Sequence, residues 1–168
     1  MTPEGNFVRE IAQICKKKIM TLEKDISQRS FRNLNQKSIV NLIYTYNWVV
    51  EKIKDFLSAE DITLQQYNIL RILRGSFPEP LSTLQIRDRM LDKMSDTSRI
   101  VDRLLMKGLV RKNTSKTDKR LVEVYITDEG KTLLAKLDQQ NEQMDSVIKG
   151  LSEDEMIIFN NLLDKIRA

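Results

Sequence analysis

The 168 residues suit one domain, or one domain plus an appended helix, and a hydrophobic content of 40% is ordinary for a chain that buries a core. There is no histidine and Cys15 is the only cysteine, which excludes, within one chain, a zinc site of His and Cys, a Ser-His-Asp triad and a disulfide. The net charge of +4 is uneven: residues 71–120 hold 13 basic and 6 acidic residues and residues 121–168 hold 5 and 10, so the basic middle is the footprint of a polyanion-binding surface.

Residues 7–26 carry Phe7, Ile11, Ile14, Cys15, Met20, Leu22 and Ile26 at helical spacing, with Lys16, Lys17 and Lys18 on the other side. The start of the chain lacks a basic segment followed by an apolar one, and no apolar run reaches the ~18 residues that cross a bilayer. A cytoplasmic location without membrane contact is therefore expected. The polar stretch Ser27 to Lys37 breaks the pattern, and Ser38 to Leu57 then forms the strongest helix. Its apolar surface is wider than one contact stripe requires, which suggests burial on two sides, one against another subunit.

Three short helices follow. Thr63 with Gln66 is a capping box before Tyr67, Ile69, Leu70 and Leu73, and Gly75 with Phe77 to Pro80 ends that helix. Ser82 with Gln85 opens a second helix to about Met90, with Leu84 and Ile86 facing inward. Ser95 is placed to cap a third, running to Lys107 with Ile100, Val101, Leu104 and Leu105 inward and Gly108 as its left-handed stop. Two short helices joined by a few residues form a helix-turn-helix pattern, or an ordinary helical hairpin.

Strands are expected at Leu109–Asn113 and Leu121–Ile126, joined by a loop over Thr114 to Asp118. Val122, Val124 and Ile126 share one face, while Leu121, Glu123 and Tyr125 share the other. A β-hairpin directly after a helix-turn-helix makes a winged helix. Thr127 then caps a long helix through about Lys149, and Ser152 with Glu155 caps a last one carrying Met156, Ile157, Phe159, Leu162, Leu163 and Ile166. The expected fold is mainly α with a small β-hairpin wing. Glycines stand at 5, 75, 108, 130 and 150 and form no phosphate loop.

Three segments carry a family resemblance: "SRIVDRLLMKGLVRK" (98–112), the wing residues "DKR" (118–120) and "ITDEGKTLL" (126–134), with "ITLQQYNIL" (62–70) ahead of them. In order and spacing the chain resembles the multiple-antibiotic-resistance regulators, the MarR-type winged-helix transcription factors, from Ser38 onward. The resemblance implies a ligand-responsive repressor that binds a palindromic double-stranded DNA operator as a homodimer. It also implies dimerisation helices within 38–58 and 128–168, a DNA-binding lobe at 62–127 and an N-terminal extension at 1–37.

In such a lobe the start of the third helix meets base edges in the major groove, here Ser95, Asp96, Thr97, Ser98 and Arg99, with Lys93 on the backbone. Asp96 accepts from cytosine, orients Arg99, or simply favours the helix N-terminus by its charge. Arg103 touches DNA or pairs with Asp102 or Asp88. At the wing, the resemblance makes Arg120 a minor-groove probe braced by Asp118, with Lys116 and Lys119 on phosphates. It implies a small aromatic effector, for which Tyr44, Trp48 and Tyr67 are candidate contacts, although core or interface packing also accounts for these aromatics. Cys15 does not stand at the start of the dimerisation helix, near Ile39, where a peroxide-sensing branch carries its cysteine. No cofactor, metal site or catalytic group is expected. The alternative is a winged-helix module that binds protein instead of specific DNA.

Overall fold

The computed structural model describes residues 21–114 and 122–168. It divides into two compact units, residues 1–48 and 49–168. The helix expected over 7–26 lies mostly outside the described residues; within them it does not run through to Ile26, because Thr21 is extended and a separate one-turn helix, α1 (Leu22–Asp25), starts after it. The next helix, α2 (Leu34–Ser58), starts four residues before Ser38. Asn33 is the reason: its side-chain oxygen accepts from the Gln36 amide at 2.9 Å, and the Gln36 side chain accepts from the Arg32 amide at 2.6 Å. That pairing gives a partner to the Gln36 amide in the first turn and to the Arg32 amide just ahead of it, and carries the helix into polar sequence. Within the first unit, Leu34, Ile39, Leu42, Ile43 and Tyr46 stand exposed on α2.

In the second unit, the end of α2 contributes Phe56 and Leu57 to the core. It continues through α3 (Leu64–Ser76), β1 (Leu81–Ser82), α4 (Thr83–Arg89), α5 (Thr97–Met106), β2 (Val110–Thr114), β3 (Val122–Ile126), α6 (Asp128–Asp138), α7 (Asn141–Asp145), a 3-10 turn at Ser146–Ile148 and α8 (Glu153–Arg167). All three capping boxes read from the sequence form with both bonds, at Thr63/Gln66, Ser82/Gln85 and Ser152/Glu155. Leu70, Leu104 and Leu134 are fully buried, and each such side chain contributes about 1.5–3 kcal/mol by leaving water. The result is a winged helix: mainly helical, with a small antiparallel sheet.

Four expectations change. The hairpin gains a third strand, because Leu81 pairs with Val124 and Ser82 with Glu123, giving the sheet order β1-β3-β2. Leu84 and Leu105 are exposed, not inward, while Ile86, Val101 and Leu104 fill the core. The cap of α5 is Asp96, not Ser95. The helix after Thr127 stops at Asp138 instead of running to Lys149, since Leu137 is its last buried residue and the following stretch has little apolar surface to pack.

Asp138 ties the end of α6 back to α3. Its carboxylate accepts from both terminal nitrogens of Arg74, at 2.5 and 3.3 Å, and from Arg71 at 3.4 Å. The Arg74 hydrogen bonds hold its pKa below the ordinary 3.8, against a smaller opposing effect of burial. A depressed carboxylate contributes stability that is present above its unfolded pKa and is lost as pH falls through the folded one. Asp138→Asn is thus expected to be less stable than wild type at neutral pH, with the gap closing below about pH 4. Urea unfolding at successive pH values measures it; a gap independent of pH would contradict this role.

Candidate nucleic-acid interface

The start of α5 is built on a local network. Asp96 Oδ1 accepts from the Arg99 amide at 3.2 Å, which caps α5, and Oδ2 lies 3.1 Å from Arg99 Nε. One carboxylate therefore starts the helix and aims a guanidinium whose side chain is 82% exposed. Two of the roles open to Asp96 are filled together, and neither terminal nitrogen of Arg99 has a hydrogen-bond partner among the described residues. In the turn before, Asp92 accepts from the Met94 amide at 3.0 Å and from the Ser95 hydroxyl at 2.5 Å. The Ser95 hydroxyl, then the Met94 amide, hold the Asp92 carboxyl below its usual range. The Leu91 amide donates to Asn68 Oδ1 at 3.0 Å, pinning the turn to α3. Asp92 is a residue that sequence reasoning passed over; its signal was an aspartate three residues ahead of a serine, the spacing of a side-chain-to-backbone turn.

Lys93, Ser98 and Arg99 are exposed and Ser95 is half-buried. Thr97 sits differently. It is only 5% exposed, with its hydroxyl toward Met90 Sδ at 3.4 Å, so its side chain belongs to the interior of the lobe. Arg103 forms no ion pair among the described residues. Asp102 instead takes Lys112, and Arg103 lines a groove of about 270 Å³ with Arg99, Ser95, Asp96 and Gln65. Arg99 and Arg103, four residues apart, thus present two cations along one side of α5.

The wing residues Lys116, Asp118, Lys119 and Arg120 lie outside the described residues. The strands that lead to them are held firmly. The Arg111 guanidinium stacks 3.9 Å from the centre of the Tyr125 ring, and the Tyr125 hydroxyl donates to Glu123 at 2.9 Å, which raises the phenol's pKa. At the base of the sheet, Thr127 donates to the Gly108 carbonyl at 2.8 Å and accepts from the Gly130 amide at 3.1 Å. Gly108 itself adopts φ +71°, the left-handed stop that its position required.

Of the effector candidates, Tyr67 is buried in the second unit, and its hydroxyl accepts from Arg71 at 3.1 Å. Tyr44 and Trp48 are exposed in the first. Among the described residues no cluster of three or more Cys, Asp or Glu is placed to hold a metal, and no helix is long and apolar enough to cross a membrane.

Residues 62–122, which span α3 to the first residue of β3, match the model of the MarR family. The crystal structure of a MarR transcription factor from Planctomyces limnophilus is 34% identical, superposes with a TM-score of 0.63, and is matched over 98% of its length and 80% of this chain. The chain belongs to the MarR family. It is thus a winged-helix transcriptional regulator from a family of non-enzymes. Two further structures share the fold. A cysteine-to-serine variant of E. coli MarR, complexed with operator DNA, is 21% identical, with a TM-score of 0.69 over 88% of this chain and 99% of that one. Bordetella bronchiseptica BpsR, whose DNA binding is regulated by 6-hydroxynicotinic acid, is 22% identical, with a TM-score of 0.68 over 79% and 99%.

Proposed function

We propose that this MarR-family regulator is a cytoplasmic, ligand-responsive repressor that binds a palindromic DNA operator as a homodimer. The observation that carries the reading is the braced, exposed Arg99 at the N-terminus of α5, beside the Ser98 hydroxyl and above Arg103. A fixed guanidinium at the tip of a short helix is suited to a guanine edge or a phosphate in the major groove. The operator complex of E. coli MarR supports DNA as the partner. In this reading residues 62–127 form the DNA-binding lobe, helices within 38–58 and 128–168 pair the subunits, and residues 1–37 are an extension.

Pairing is supported by uncovered apolar surface on two helices. Ile39, Ile43 and Tyr46 on α2, and Ile157, Leu162 and Ile166 on α8, are each more than half exposed in the single chain. Side chains of this size in water are the mark of a surface that a second copy covers. A small aromatic acid is the class of effector, by analogy with BpsR, and exposed Tyr44 and Trp48 are aromatic surfaces available to it.

Mobility shifts with DNA flanking the protein's own gene test the reading. A discrete complex that survives competitor DNA, from a protein sedimenting at twice the chain mass, is expected. Binding that falls steeply with salt should accompany it. No preference for any duplex over competitor would overturn it in favour of a protein-binding module. Arg120→Ala is expected to weaken that complex while leaving the dimer and its helicity intact. Unchanged affinity would remove Arg120 from the minor groove.

A further inference from the structure

We propose that the groove between α4 and the N-terminus of α5 reads the 5-methyl group of an operator thymine, with Leu84 as the apolar contact. The proposal rests on the DNA-binding reading and goes beyond it to one base. Leu84 is 55% exposed, while Ile86, two residues on, takes the core position. Its surroundings are not ordinary solvent-facing surface. Leu84 lines a groove of about 230 Å³ together with Thr83, Arg87, Ser95, Asp96 and Ser98, so it faces the same space as the start of the reading helix.

The groove's polar groups narrow the choice of base. A thymine edge in the major groove presents an acceptor, O4, beside its methyl; cytosine presents an amino donor, adenine an acceptor and a donor, and guanine two acceptors. Each Asp96 oxygen already faces Arg99, one accepting from its amide and one lying 3.1 Å from Nε, so a base amino group would compete with Arg99 for the carboxylate. The Ser95 hydroxyl donates its proton to Asp92 and so has none for a base acceptor such as O4. The Ser98 hydroxyl has no hydrogen-bond partner among the described residues. With the Thr83 hydroxyl beside it, also unpaired among the described residues, the groove offers two hydroxyls able to donate to O4 next to one leucine, and the leucine singles out thymine, whose methyl is the apolar group on that edge. Arg87, exposed on the next turn of α4 and without an ion pair among the described residues, is placed for the flanking phosphate.

Deoxyuridine differs from thymidine only by that methyl, so it isolates the contact. Duplexes selected by the wild-type protein from a randomised pool are remade with each symmetric pair of thymines replaced by deoxyuridine and titrated in mobility shifts. One position in each half-site is expected at which wild type loses about fourfold per methyl, the effect of one buried methylene-sized group. Leu84→Ala, its helicity checked by circular dichroism, should bind the thymine and deoxyuridine duplexes equally. A flat scan with wild-type protein overturns the proposal while leaving DNA binding intact, as does a Leu84→Ala variant that keeps the wild-type sensitivity. Failure to select any duplex overturns the DNA-binding reading and this proposal with it.

Discussion

Arg99→Ala is expected to weaken operator binding by about 1–3 kcal/mol for each hydrogen-bonded pairing that the guanidinium makes with DNA, roughly fivefold to 150-fold in affinity. The effect is large because the guanidinium is already held in place. Asp96 fixes Nε at 3.1 Å, so little side-chain freedom is lost on binding and more of the interaction energy appears as affinity. The fold should not suffer, since Asp96 still accepts from the backbone amide of residue 99 and α5 keeps its cap. Two titrations separate the two kinds of partner open to Arg99. If it grips a guanine, the variant accepts other bases at one position with little change in salt dependence. If it grips a phosphate, sequence preference stays and the salt slope drops by about one. Arg99→Lys sharpens the distinction, because it keeps the charge but not the two-pronged donor geometry.

Gly130→Ala is expected to be the most damaging single-methyl change in the lobe, costing about 1–3 kcal/mol. A Cβ there would lie 2.4 Å from the Leu109 carbonyl oxygen and 2.8 Å from Ile126 Cγ1. The carbonyl has no freedom to retreat, because it also accepts from the Thr127 amide at 3.2 Å. To make room, α6 would have to lift off the start of β2 and break the Thr127 bonds to Gly108 and Gly130. For a chain of this length the melting temperature should fall by about 2–4 °C per kcal/mol. Gly75 is the internal control: it lies near the end of α3 with nothing within 4 Å of an added Cβ, so Gly75→Ala should be neutral or mildly stabilising. Equal melting temperatures for Gly130→Ala and wild type would contradict this account.

Helix starts were the most legible feature of this chain. A capping box is complete within four residues, so Thr63/Gln66, Ser82/Gln85 and Ser152/Glu155 declare themselves without tertiary context. The start of α5 was harder because two capping residues stand side by side. Ser95 and Asp96 both have the right chemistry; the Asp96 carboxylate takes the cap, while the Ser95 hydroxyl donates back to Asp92. The start of α2 was misplaced for a related reason: the polar run before it contains its own cap, Asn33, paired with Gln36. The third strand went unseen because Leu81–Ser82 is only two residues long and exists through its pairing with β3.

The candidate site divides the same way. Arg99, Ser98 and Asp96 could be placed at the tip of the reading helix from the order of the elements, and the resemblance carried by residues 98–112 pointed to DNA. Thr97 stands between the same neighbours, yet it turns into the lobe toward Met90. A helix turns by 100° per residue, so adjacent positions face different surroundings, and only the packing of α5 against α4 decides which of them reaches solvent.

By itself, then, the sequence determined the order of helices and strands, the caps that start most of them, the basic middle and the family. The family follows from the resemblance of residues 98–112, 118–120 and 126–134, and the rest from contacts within about one turn of helix or from counting charge. The tertiary structure decided that one carboxylate both caps α5 and aims Arg99, that Leu84 faces a groove while Ile86 fills the core, that Gly130 must lack a side chain, and that Asp138 meets Arg74 64 residues away. The physical reason is range. Hydrogen bonds to the nearby backbone depend on neighbours in the chain, whereas burial, close approach and ion pairing depend on which distant surfaces the packed core brings together.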